Sequence, residues 1–159
     1  MSKIQADGAH QSKNRSEKTP TAAKPFCASH ALLSEMLKIG ETLAVPSGSM
    51  LFEAGQPTRG VYVVMQGKFA LWSGEDPVRI TRIAERGCLL GLPATIRQKP
   101  YGLSAEAVSS ANVCRLDPEQ FKRLLAKNRS AREEVLVLLA EEISTLRRLA
   151  VCGLRGDRD

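Results

Sequence analysis

Four cysteines and two histidines are the side chains in this sequence best suited to metal ligation or nucleophilic chemistry. Zinc sites and cysteine-ligated iron–sulfur clusters need ligands paired at short spacing, as in CxxC. Cys27, Cys88, Cys114 and Cys152 stand far apart and form no such pair. Cys88 and Cys114 sit among apolar neighbours and read as small buried hydrophobes, which fits reduced thiols in a cytosol. A serine or cysteine nucleophile needs a base beside it. His10 lies in a polar leader and His30 in a lead-in helix, away from every segment that reads as a strand. A haem held by histidine, or a metal held by clustered His and Glu on barrel strands, meets the same obstacle. No catalytic residue, metal ligand or cofactor is therefore assigned, and catalysis is not expected.

The remaining reactive chemistry is charge. The 159 residues carry a formal net charge of +6, which raises nucleic acid as a partner. Lys3, Lys13, Arg15, Lys18 and Lys24 fall in the leader, and other cations alternate with acids along the last helix. No Lys/Arg block is interleaved with aromatics, so the charge reads as solvated surface. The composition, 43% hydrophobic and 25% charged, is that of one globular domain. There is no apolar run long enough to span a membrane and no secretory h-region, so a cytoplasmic protein is expected.

The order of elements is legible. Residues 1–25 have almost no large apolar side chains and are expected to be a disordered leader. Residues 26–151 read as the domain and 152–159 as a tail. Ala31, Leu32, Met36 and Leu37 have helical spacing between a Ser29 N-cap and Gly40. Short β-type segments follow at Thr42–Val45, Met50–Glu53, Gly60–Met65, Lys68–Ser73, Val78–Ile83, Leu103–Val108 and Asn112–Leu116. Between them stand Pro46-Ser47-Gly48, Gly55-Gln56-Pro57, Gln66-Gly67 and Gly74-Glu75-Asp76-Pro77, all with turn chemistry. Gly55 and Gly67 are expected at positive φ in tight turns. Gly87 and Gly91 flank a short strand that leads into an irregular loop. Asp117-Pro118-Glu119 opens a helix carrying Phe121, Leu124 and Leu125 inward, and a long helix follows over 130–151, stopped by Cys152-Gly153. The fold class is mainly β with flanking α: an antiparallel β-roll or jelly roll between a short N-terminal and a long C-terminal helix.

Four patterns resemble the effector domain of Crp/Fnr-type regulators and other cyclic-nucleotide-binding domains. They are Pro46-Ser47-Gly48 running through Leu51-Phe52 to Gly55; Gly60-Val61-Tyr62-Val63 through Gly67-Lys68; Gly87-Cys88-Leu89-Leu90-Gly91; and Ser104-Ala105-Glu106-Ala107. The resemblance covers about Leu32 to Ala150 and implies a signalling domain, a regulatory sensor with a small-molecule pocket. Its ligand pocket would be formed by Gly91, Leu92, Pro93 and Ala94 together with Gly102, Leu103, Ser104 and Ala105.

In nucleotide-binding members, the loop after the equivalent of Gly91 supplies oriented amides, a carboxylate for the ribose and an arginine for the cyclic phosphate. Here Leu92 stands at the carboxylate position, and no arginine occurs near Tyr101-Gly102-Leu103. Arg97 and Lys99, the cations of this loop, are out of register. Each lost charge-assisted bond costs about 1.5–3 kcal/mol, so losing both anchors weakens binding by roughly two to four decades. Ordinary cAMP or cGMP binding is not expected. The cavity either takes a different, more apolar molecule or is filled by its own side chains and serves as a scaffold. A true cyclic-nucleotide receptor is the rival.

Leu136, Leu139, Ile143, Leu146 and Ala150 repeat at 3-4-3-4, a coiled-coil seam, while Val135, Leu138 and Leu149 form a second apolar face directed back at the roll. In the resembled family this helix is the dimer interface and closes over the pocket, which implies a homodimer. A single broad core-facing stripe in a monomer is the alternative. Glu133, Glu134, Glu141, Glu142, Arg147 and Arg148 read as its solvated face. After Gly153 there is too little chain for a recognition helix, so sequence-specific DNA binding is not expected and regulation would pass through a partner protein.

Overall fold

The fold is that of a computed structural model, which describes residues 25–73 and 80–156, with the backbone alone at 80, 81, 149 and 152–156. The leader through Lys24, the turn at Gly74–Pro77 and the expected strand start at Val78 lie outside the described residues.

A polar cap starts the first helix. The Ser29 hydroxyl accepts from the Leu32 amide at 3.2 Å and opens α1 (His30–Ile39), which buries Leu32 and Met36. Such a cap contributes about 1 kcal/mol. Gly40 ends the helix, and a Cβ there would lie 2.4 Å from Cys114 Sγ. The chain then enters β1 (Glu41–Val45), β2 (Met50–Phe52), β3 (Val61–Gln66), β4 (Phe69–Ser73), β5 (Ile80–Ala84) and β6 (Leu89–Leu90). After α2 (Leu92–Arg97) come β7 (Ser104–Ala107), β8 (Ala111–Leu116), α3 (Pro118–Lys127) and α4 (Arg129–Gly156).

All strand pairs are antiparallel and form two four-stranded sheets, in the orders β1-β8-β3-β6 and β2-β7-β4-β5. This is the expected jelly roll. The link from β3 to β4, which carries the chain from one sheet to the other, turns at Gly67, whose φ of 88° and crowded Cβ position, 2.6 Å from Ser110 O, admit little else.

One core fills the space between the sheets, with Phe52, Tyr62, Val64, Phe69, Leu71, Ala105 and Val113 among its members. A second lies between the outer face of the first sheet and the helices, and includes Met36, Val61, Val63, Leu89, Leu92, Leu116, Phe121 and Val135. Strand β3 is buried on both faces, which is why its sequence reads as a continuous apolar run. Burying a residue such as Phe69 or Phe121 contributes about 1.5–3 kcal/mol.

Two expectations are corrected. The segment after Gly91 is not an irregular loop but the short helix α2. A proline in its first turn fits the helix, the Thr95 hydroxyl donates to Gly91 O at 2.8 Å, and burial of Leu92, Ala94 and Thr95 holds it. The last helix does not stop at Cys152-Gly153 but runs on to Gly156. A single glycine costs a helix only about 1 kcal/mol, and the neighbouring Leu154 and Arg155 favour helix.

Candidate functional site

A cavity of about 290 Å³ opens where the two sheets part at their edge strands β5 and β6. Phe52, Leu71 and Leu90 line its interior, Gly91, Pro93 and Ala94 give one wall, and Tyr101, Gly102 and Leu103 give another. Pro25 and Phe26, with Glu142 and Leu146 of α4, cover it. Pro25 and Phe26 are held by an extra β-bridge: Leu89 N donates to Phe26 O and Ala28 N to Gly87 O, each at 3.1 Å, with Cys27 opposite Cys88. Phe26 takes φ of 45°, uncommon for a residue with a side chain.

Of the eight residues assigned to the pocket from sequence, Gly91, Pro93, Ala94, Gly102 and Leu103 border this cavity. Leu92, Ser104 and Ala105 do not. Leu92 is fully buried in the helix-side core, Ser104 Oγ accepts from Ala54 N at 2.9 Å, and Ala105 packs inside the roll. Arg97 and Lys99 are exposed and do not reach the cavity.

Tyr101 occupies the stretch where an arginine was sought. Its ring stacks on Phe52 at 3.9 Å between centroids with 13° between planes. Its hydroxyl donates to Gly60 O and accepts from Arg59 N, both at 2.9 Å. Gly91 sits beside it at φ of 81°, and a Cβ there would stand 2.8 Å from Tyr101 Cε1 and 3.0 Å from Gly60 O. Nearby, the Tyr62 phenol is pushed up to about 12, chiefly by burial and next by the adjoining Tyr101. The Tyr62 phenol is thus a hydrogen-bonding group at neutral pH.

Sequence reasoning missed one polar group in this apolar chamber. Arg82 is Cα partner of Leu71, and directly opposed residues share a face, so the guanidinium lies on the inner side of the roll. It pairs with Glu142 of α4, the two side chains being only 10% and 14% exposed. Glu142 is therefore not on a solvated face, whereas Glu134 is half-buried at the surface, where its carboxylate accepts from Ser29 N at 2.7 Å and from the Ser29 hydroxyl. The signal was present: Val135, Leu138, Glu142 and Thr145 repeat at 3-4-3, and all but Glu142 were already apolar or small. On the adjoining side of α4, Leu136, Ile143 and Leu146 are 62%, 54% and 45% exposed and Ala150 is exposed. Leu139 is half-buried against the helix-side core, so it belongs to both faces.

Among the described residues no three His, Cys, Asp or Glu side chains converge, and no helix is long and apolar enough to cross a membrane.

The chain belongs to the cyclic nucleotide-binding domain family, whose model matches residues 42–128, more than half of its length. No curated protein sequence matches it. Among solved structures it is similar to a protein of a cyclic-GMP-dependent signalling pathway in bacterial phytopathogenesis, at 21% identity, covering 75% of this chain and 96% of that one, with a TM-score of 0.66. It is similar to the Thermus thermophilus catabolite activator protein at 22% identity, covering 81% and 59%, with a TM-score of 0.61. It also resembles the c-di-GMP-responsive global regulator CLP of Xanthomonas campestris at 15% identity, covering 77% and 63%, with a TM-score of 0.66. These likenesses show the shared fold. The chain spans less than two thirds of the length of the latter two regulators.

Proposed function

We propose that this chain is a regulatory sensor domain whose pocket takes a small molecule with an apolar body in place of a cyclic nucleotide. The observation that carries it is the substitution at both anchor positions: buried Leu92 faces away from the cavity where a carboxylate was sought, and Tyr101 is locked where an arginine was sought. An open volume of about 290 Å³ favours a ligand over a filled scaffold, and is near the lower end of small-molecule pockets.

Occupancy is read through α4, because Leu146 borders the cavity and also stands in the exposed seam. A 3-4-3-4 seam is self-complementary, so its fitting partner is α4 of a second copy. Output then passes to a partner protein or an attached domain.

The test joins a native mass spectrum with thermal melts. Freshly purified protein is expected to carry a co-purified small molecule, and millimolar cAMP or cGMP to leave Tm unchanged. A ligand at a hundred times its Kd stabilises by about 2.7 kcal/mol, so a true receptor would show a shift of several degrees. Such a shift would sink the reading.

A further inference from the structure

The cavity lining is mostly apolar, with Ser73 and Tyr101 adding hydroxyls, and its charged groups are Arg82 and Glu142, which meet at one corner. That corner is unusual for its place. Strand β5 alternates, and Arg82 shares the inner face with Ala84, which is fully buried; Ile83 points outward and is 43% exposed. A guanidinium on the inner face of a roll must keep a counter-charge, since an unpaired buried charge is strongly disfavoured. A counter-charge is supplied from α4 by Glu142.

From this we propose, resting on the sensor reading above, that the ligand is a small organic acid: one carboxylate on a compact apolar body. The body fills the space bounded by Phe52, Leu71, Leu90 and Tyr101. The carboxylate takes over Arg82 and displaces Glu142. Arg82 offers a planar fork of donors that suits a carboxylate, whether it belongs to the protein or to a ligand. The exchange keeps Arg82 neutralised throughout and frees Glu142, which lies one turn from Leu146 and beside Ile143. Ligand and helix therefore compete for one cation, and acid binding weakens the tie between β5 and α4. The two states differ in a named contact, which is what coupling between pocket and helix requires.

Cyclic nucleotides are poorly matched to the same corner. Their polar sugar and base would have to be desolvated against walls that are mostly aromatic and aliphatic.

The probes are 3-phenylpropionate and its neutral isostere 3-phenylpropionamide, titrated calorimetrically into the full chain. The acid is expected to bind more tightly than the amide, by less than the roughly tenfold of one full charge-assisted contact, because the Arg82–Glu142 pair is given up in exchange. Glu142→Gln, which removes the competitor, is expected to tighten the acid several-fold and leave the amide unchanged. Because Arg82→Gln alone strands a buried carboxylate, the Arg82→Gln/Glu142→Gln pair is used, and it is expected to bind acid and amide equally. A purely structural ion pair would not alter the acid-to-amide ratio in either variant. If wild type binds acid and amide alike, the organic-acid inference fails while the apolar sensor stands. If neither binds but cAMP does, both fail. If nothing binds at millimolar concentration, both fail in favour of the scaffold.

Discussion

At Gly91 two separate demands coincide. The backbone takes a left-handed conformation, and the space a side chain would need is filled by Tyr101 and the Gly60 carbonyl. Neither neighbour is a loose end: Tyr101 is stacked on Phe52 and hydrogen-bonded at both sides of its hydroxyl. Gly91→Ala is expected to cost about 1–3 kcal/mol in denaturant melts, more than the few tenths typical of an exposed surface change. An alanine variant as stable as wild type would mean that the Tyr101 wall yields easily. Gly91 was legible as a special position from sequence, because it closes the Gly87–Gly91 pattern. Tyr101 was legible only as the absence of an arginine. What it does instead depends on Phe52 and Gly60, both far away along the chain, and no local pattern encodes such a meeting.

At the scale of elements, α4 is the part that most exceeds its own domain. Its inward stripe, Val135 and Leu138, is buried, while Leu136 and Ile143 are more than half exposed. Isolated apolar side chains on a surface are ordinary, but a row at coiled-coil spacing on one helix is an unfilled seam. Ile143→Glu is expected to halve the mass seen by light scattering without lowering the monomer's helix content, since Ile143 is more than half exposed in its own chain. An unchanged mass would remove the seam as an interface. Leu139 is a poorer choice for this test, because it also packs on the helix-side core. The 3-4 spacing made the two stripes visible beforehand. Reading Glu142 as solvent-facing was an error of treating charge as a sign of exposure: its position in the heptad, aligned with Val135 and Leu138, already aimed it at the roll. The helix α2 was hidden for another reason. Six residues with a proline carry too little periodicity to be recognised, and tertiary burial supplies what propensity does not.

For the whole molecule, the double-sheet fold followed from evenly spaced turns and a switch from period 2 to period 3.6 after Leu116, which are local signals. The pairing of strands, and so the meeting of β5 and β6 at the cavity, is non-local and came only with the structure. The packed interior has its own pH signature. The Tyr62 phenol is raised from 10.0 to about 12 in the fold, chiefly by burial. The folded state thus holds this proton more tightly than the unfolded chain does. Its contribution is fully present below about pH 10 and is lost as pH rises toward about 12. Thermal melts across that window are expected to show a falling Tm, and Tyr62→Phe to flatten the fall. If the variant retains the same slope, the alkaline sensitivity has another source.

Phe26 gives the cavity a wall from outside the shared pattern. The family match begins at residue 42, yet Pro25 and Phe26 touch the chamber, and their strip is held beside β6 by two backbone hydrogen bonds, Leu89 N to Phe26 O and Ala28 N to Gly87 O. On the sensor reading, part of what selects a guest is thus written upstream of the matched segment, in a strip outside both four-stranded sheets. Relatives with identical rolls can in this way acquire different tastes, and a chain trimmed to the family's own limits would report the affinity of a doorless room.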